Sequence, residues 1–196
     1  MNSLAEESLE IIKTELPGVL LIKPQVFNDA RGFFYESYRQ DRLVESGITE
    51  TFVQDNHSRS ARGTLRGLHY QLRHPQAKIC RVVSGEVLDV AVDIRRGSPS
   101  FGKSVSAVLS AENKSSIFIP AGFAHGFLVL SDSADFLYKC TDYYYADDQW
   151  GIAWNDPELD IHWGIADPLL SERDRRHLPL SKTPIENLPA LEVKSR

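Results

Sequence analysis

The chain has 196 residues, a length that fits one domain with short appendages, and a domain of that size needs no disulfide or metal staple to bury a core. Its 22 basic and 27 acidic residues leave a net charge of −5 with neutral histidines, which excludes a globally basic nucleic-acid binder. Hydrophobic residues at 42% and charged residues at 25% exclude a disordered chain, and no run approaches the ~18 apolar residues of a membrane helix.

The first ten residues, MNSLAEESLE, are acidic and lack a basic-then-apolar signal pattern. Residues 1–9 therefore read as a polar tail, 10–182 as a single domain and 183–196 as a C-terminal tail, and the expected location is cytoplasmic. From Ile11 onward, short apolar runs rich in Val, Ile, Phe and Tyr are punctuated by Pro, Gly, Asn and Asp. In chain order they are VLLI (19–22), GFFYESY (32–38), ETFVQDNHS (50–58), KICRVV (78–83), EVLDVAVDI (86–94), SVSAVLS (104–110), SSIFIP (115–120), HGFLVLS (125–131) and DFLYKCTDYYY (135–145). Their composition and length are those of strands, and only Arg39–Ser46 and the chain ends carry helix signals. Such a series predicts an all-β jelly-roll barrel with a few short helices, mainly C-terminal, and an irregular segment after about residue 155.

KICRVV and EVLDVAVDI are joined at Ser84-Gly85, a tight-turn dipeptide. In the second strand Leu88, Val90, Val92 and Ile94 alternate with Val87, Asp89, Ala91 and Asp93. Asp93, near the strand end, reads as solvated, whereas Asp89 at mid-strand needs a partner. Lys78 is one candidate for it, in a purely structural ion pair. Cys80 and Cys140 each sit inside a strand and read as buried free thiols.

Four constellations carry chemistry, the first of them joining two segments. Asp29–Glu36 (DARGFFYE) and Gln54–Ser58 (QDNHS) read blandly as a turn, an edge strand and a polar loop; functionally they offer an arginine for phosphate, amides for a polar ring and an aromatic for stacking. In Arg66-Gly67-Leu68-His69-Tyr70-Gln71, strand parity puts His69 and Gln71 on one face, and Arg66 joins them only if the strand bulges at Gly67, which we expect. Pro120-Ala121-Gly122-Phe123-Ala124-His125 leads into another strand. In Phe136–Tyr145, parity separates Phe136, Tyr138 and Cys140 from Leu137 and Lys139, and a phenol on an inner wall needs a hydrogen-bond partner or a task.

The Pro-x-Gly-x-x-His pattern ending at His125 resembles the second motif of the cupin superfamily. Metal-binding cupins also carry a His-x-His pair, and here the counterpart is His69-Tyr70-Gln71. With glutamine in place of the second imidazole, no metal is expected. Taken together and in order, RGFFYES, FVQDNHS, RGLHYQ, SGEVLDVAVDIRRGSPSFG, IPAGFAHGFLVLS, LYKCTDYY and WND (154–156) resemble the dTDP-4-dehydrorhamnose 3,5-epimerase family from about Ile11 to Leu180. The resemblance implies a jelly-roll homodimer with exchanged N-terminal strands and no cofactor, acting on a dTDP-4-keto-6-deoxy sugar in dTDP-L-rhamnose biosynthesis. It implies His69 as general base paired with Asp174, Lys78 at the C4 oxygen and Tyr138 returning a proton from the opposite face. Asp89 and His125 fall in the same cavity, Arg66 and Arg31 at the diphosphate, and Phe34, Glu36, Gln54 and Asn56 around the nucleotide. Tyr144 would stack on the nucleotide or face the sugar.

The residue types suit that chemistry. Both C3 and C5 lie α to a ketone, so deprotonation of either places charge on the C4 oxygen, where a cation stabilises it. Inversion needs a proton removed from one face and delivered to the other, which one imidazole cannot do. The alternative is a mono-epimerase acting at C3 or C5 only. A non-enzymatic sugar-nucleotide binding module and a metal-dependent cupin oxygenase are the readings from other classes.

Overall fold

A computed structural model describes residues 9–191, so residues 1–8 of the tail expected at 1–9, and the last residues, 192–196, lie outside the described residues. In chain order the first strands are β1 (Glu10–Lys13), β2 (Leu20–Lys23), β3 (Phe27–Asp29), β4 (Gly32–Phe34), β5 (Gln54–Ala61) and β6 (Leu65–Gln71). They are followed by β7 (Lys78–Ser84), β8 (Glu86–Asp93), β9 (Ser104–Ser110), β10 (Ser116–Ile119), β11 (Phe123–Val129), β12 (Ser133–Cys140) and β13 (Gln149–Gly151). The α-helix among the described residues, α1 (Gln40–Glu45), falls where the sequence places it.

Two antiparallel sheets face each other as a jelly roll: six strands in the order β1-β2-β10-β7-β12-β5, and five in the order β13-β6-β11-β8-β9. Alternation sorts the side chains. Cys80, Val82 and Phe136 of the first sheet meet Val87, Ala91, Phe123 and Phe127 of the second in the inner core, where the Phe127 and Phe136 rings stack at 4.0 Å. The greasy face of β8, with Val90, Val92 and Ile94, is covered from outside by Ile152, Leu159, Trp163, Leu180 and Leu188. Ile22, Ile79 and Phe118 on the outer face of the six-stranded sheet pack against Leu43 of α1. Both cysteines are buried free thiols, as expected.

Three expectations change. Asp93 is not solvated: it is fully buried, and its carboxylate accepts hydrogen bonds from Arg95, Ser98 and Ser100. Burial pushes this carboxyl up, but those donors outweigh it and hold it at about 2. Asp89 is also fully buried, but its partner is His125 Nε2, at 2.9 and 3.1 Å, rather than Lys78. Residues 183–191 of the expected C-terminal tail lie on the barrel, with Leu188 buried and the Asn187 carbonyl accepting from the Tyr70 hydroxyl at 2.8 Å.

The bulge expected at Gly67 is present. From His69 to Arg66 strand β6 takes three steps while β11 takes two, from His125 to Phe127. Gly67 has φ +134°, and a Cβ there would sit 2.5 Å from the Gly126 Cα. The two backbones approach so closely that neither glycine has room for a side chain. Gly67→Ala is expected to lower the unfolding free energy by at least about 2 kcal/mol, from overpacking and backbone strain. Urea denaturation measures it, and an unchanged midpoint would mean that the close approach is dispensable.

Candidate active site

The bulge turns Arg66 and His69 to the same side of β6, into a cavity of about 870 Å³ between the sheets. Alternate residues of β5 (Gln54, Asn56 and Ser58) line one wall, with Lys78 from β7, His125 from β11 and Phe136 and Tyr138 from β12. The irregular C-terminal segment closes the other side with Ser171, Arg173 and Asp174. Of the residues expected from the sequence, His69, Asp174, Lys78, Tyr138, Arg66, His125, Gln54, Asn56 and Tyr144 all reach this cavity. Asp89 stands behind His125, hydrogen-bonded to its Nε2.

His69 Nε2 lies 2.5 Å from Asp174 Oδ1. Asp174 reaches it from a 3₁₀ turn, Asp174–Arg176, whose first residue donates its backbone N–H to Ser171 Oγ. Burial depresses the His69 imidazole below its ordinary value, and the Asp174 carboxylate offsets only part of that. Burial raises the Asp174 carboxyl, but its contacts with His177 and His69 prevail and hold it below the usual carboxylate range. The resting pair is thus a neutral imidazole beside a carboxylate. Burial pushes the Tyr138 phenol up to about 12, so it stays protonated. The Lys78 ammonium lies 5.9 Å from the Tyr138 ring centroid, and no ion pair neutralises it among the described residues.

Arg66 anchors its Nε on Ser60 Oγ at 3.0 Å, leaving the rest of the guanidinium to the cavity. Gln54 donates to Asn56 Oδ1 and accepts from the Tyr144 backbone N–H, fixing the rim. Tyr144 and Arg173 both donate to Gln149 Oε1, at 2.7 and 3.0 Å. The sequence reading missed Ser58, Gln149, Arg173 and His177. Parity could have found Ser58, two residues beyond Asn56. The other three sit on a short edge strand or in irregular chain, where no period points a side chain inward.

Arg31, Phe34 and Glu36 do not reach the cavity of their own chain. Arg31 and Phe34 line a separate depression on the β3–β4 hairpin, and Glu36 borders an apolar groove beside α1. That hairpin forms its own two-stranded sheet, which carries these side chains away from the barrel.

Among the described residues, two groups of three side chains bring possible metal-ligand atoms within 4.8 Å of one another: His69, Asp174 and His177, and Cys80, Asp89 and His125. Each contains an imidazole already hydrogen-bonded to its carboxylate. Burial holds the Cys80 thiol protonated, the opposite of what a thiolate ligand needs. The Gln71 amide is drawn away from the cavity, bonded to the His74 and Tyr143 carbonyls and the Tyr145 N–H. The donor sets fit hydrogen-bonded pairs rather than a metal centre.

The family model described as dTDP-4-dehydrorhamnose 3,5-epimerase matches residues 13–182. A dTDP-4-dehydrorhamnose 3,5-epimerase of Pseudomonas aeruginosa is 58% identical over 170 residues, 86% of this chain and 94% of that protein. The crystal structure of a dTDP-6-deoxy-D-glucose-3,5-epimerase from Legionella pneumophila, in complex with dTDP-4-keto-L-rhamnose, superimposes with a TM-score of 0.92 at 49% identity, covering 94% of this chain and 100% of that one. A 3′-monoepimerase from Streptomyces bikiniensis in complex with dTDP-quinovose gives 0.84 at 32% identity, covering 90% of this chain and 91% of that one.

A buried histidine held neutral binds fewer protons in the folded than in the unfolded state. Its contribution to stability is therefore complete above the unfolded value of about 6.5 and is lost as the pH falls below it. His69→Gln should flatten the dependence of unfolding free energy on pH between about 7 and 5, read by urea denaturation at several pH values. An unaltered slope would contradict a neutral resting imidazole.

Proposed function

The chain belongs to the dTDP-4-dehydrorhamnose 3,5-epimerase family, and on that premise we propose how its cavity inverts C3 and C5 of dTDP-4-dehydro-6-deoxy-D-glucose to give dTDP-4-dehydro-L-rhamnose. The observation that carries the reading is an imidazole–carboxylate pair, an unpaired ammonium and a protonated phenol on the walls of one cavity.

Asp174 engages His69 Nε2, so Nδ1 is the nitrogen that takes the sugar proton. The carboxylate then stabilises the imidazolium that forms, without itself being protonated. The electron pair left by the C–H bond moves into an enolate whose oxygen is O4. Lys78 faces that oxygen, and a pre-positioned charge of this kind is worth about 3 kcal/mol or more. Tyr138 gives its proton to the opposite face of the carbanion, and exchange with solvent then returns the phenol and the imidazole to their starting states. The cycle runs once at each of the two carbons. Arg66 binds the diphosphate; Gln54, Asn56 and Tyr144 border the nucleotide; Asp89 and His125 form the polar wall beside the sugar.

The functional unit is a homodimer; strands β1 and β2, expected to be exchanged, pair within their own six-stranded sheet, so the exchanged part is the β3–β4 hairpin and the residues after it, and Arg31, Phe34 and Glu36 complete the partner's cavity. Exposure supports this: Phe33 and Phe34 are 60% and 67% exposed on a hairpin that stands apart from both sheets, and an isolated hairpin is marginal in water. A cytoplasmic location is consistent with two free thiols.

In D₂O, NMR of the 4-keto-6-deoxyglucose nucleotide should show deuterium entering both C3 and C5 with inversion at each. Exchange confined to one carbon would make the enzyme a mono-epimerase. His69→Ala should abolish exchange, lowering turnover by about 10³-fold or more while dTDP still binds; near-normal turnover would remove His69 from the mechanism. Tyr138→Phe should uncouple the steps, with deuterium entering C5 and little inversion. Arg31→Ala should raise KM about tenfold with kcat nearly unchanged, through loss of a charge-assisted phosphate contact; an unchanged KM would argue against the exchanged hairpin.

A further inference from the structure

His177 has no part in the mechanism above, yet it stands directly behind it. Its Nε2 lies 3.5 Å from Asp174 Oδ1, the same oxygen that meets His69. Its ring meets the His69 ring edge-on, with centroids 5.8 Å apart and planes at 78°. The ring fills a slot that β13 leaves open. A Cβ on Gly151 would fall 2.3–2.5 Å from three ring atoms, and Gly151 is the residue that pairs with His69 across β13 and β6. His177 Nε2 is buried and makes no hydrogen bond among the described residues. A buried polar atom without a partner is costly unless something nearby uses it.

We propose that His177 is a positioning residue for the His69–Asp174 pair, holding the carboxylate and the catalytic ring from the side away from the sugar. The inference rests on the proposed role of His69 as base. The contact loosens when His69 becomes an imidazolium, because the cation then takes more of the Asp174 charge and leaves less for His177. At rest His177 competes with His69 for Oδ1, so it keeps the base from becoming too strongly paired. The charged and titratable groups around it are His69 on β6, Asp174 on the 3₁₀ turn, and Asp167 and Arg175, which share the small cavity on its far side. Lys78 on β7 acts on His69 from the sugar side.

The experiment compares wild type with His177→Ala and His177→Gln, the second keeping a donor of similar reach. His177→Ala should lower kcat about tenfold with KM within about twofold, the pattern of a lost orienting contact. Without its competitor for the carboxylate, His69 becomes more basic, so the acid limb of kcat/KM should move up by about half a pH unit. His177→Gln should recover most of kcat. An NMR titration of His69 in the substrate-free proteins should show the same upward shift in His177→Ala. That readout needs no turnover, so it is independent of whether the epimerase mechanism holds. An acid limb and a His69 titration unmoved in both variants would overturn the proposal, whatever their effect on thermal stability.

Discussion

Two glycines on neighbouring strands, Gly67 and Gly126, touch backbone to backbone, and the active site depends on that contact. One extra residue in β6 at this point reverses its parity, so that Arg66 and His69 face the cavity while Leu65, Leu68 and Tyr70 stay in the outer core. Without the bulge, strand alternation would send either the Arg66 guanidinium or the His69 imidazole into apolar packing. A bulge also bends its strand, which brings the neighbouring β13, and with it Gly151, against the back of His69. The close approach therefore sets the position of the base and the space behind it.

The inner walls then have to hold several charges where water is scarce. The barrel separates them. Its anions are all given partners: Asp89 takes His125, Asp93 takes Arg95 and two serines, and Asp174 takes His69. Lys78 is left without a carboxylate among the described residues and lies over an aromatic face. An ammonium neutralised by its own protein would have little left to give an enolate. Pairing the anions with imidazoles and arginine, rather than with that lysine, is what leaves a full positive charge in the cavity.

Much of this was legible in the sequence because β structure repeats every two residues. Parity placed Tyr138, Phe136 and Cys140 together and predicted the bulge from the need to bring Arg66 round to His69, whereas Lys78 was grouped with the site through resemblance. Asp93 was misjudged because its partners, Arg95, Ser98 and Ser100, come from a loop that folds back on it, and a loop has no period to read. For Asp89 an ion pair with Lys78 stayed open beside a place in the cavity with His125, because both reach the cavity and only three-dimensional distance chooses between them. Arg31, Phe34 and Glu36 could be grouped with the site only through resemblance, since within one chain they stand elsewhere. His177 gave no signal at all. Its importance comes from a glycine 26 residues earlier that leaves it room.

The dyad draws its two halves from regions that fold by different rules. His69 is fixed by a ladder of backbone hydrogen bonds, while Asp174 comes from irregular chain that no sheet holds. That chain is secured piecemeal. The Asp156 carboxylate accepts the Leu180 N–H, Leu169 exchanges backbone hydrogen bonds with Gly63 and Leu65, and Leu180 and Leu188 sit in the outer core. These contacts lie on the face of the five-stranded sheet turned away from the sugar. The outer core thus anchors the segment that carries Asp174, with Leu180 and Leu188 buried in it after that residue. A loss of packing there would be felt first at the His69–Asp174 pair, before the barrel itself opened, because the segment between Trp154 and Leu191 is held by isolated bridges and side chains rather than by a continuous ladder.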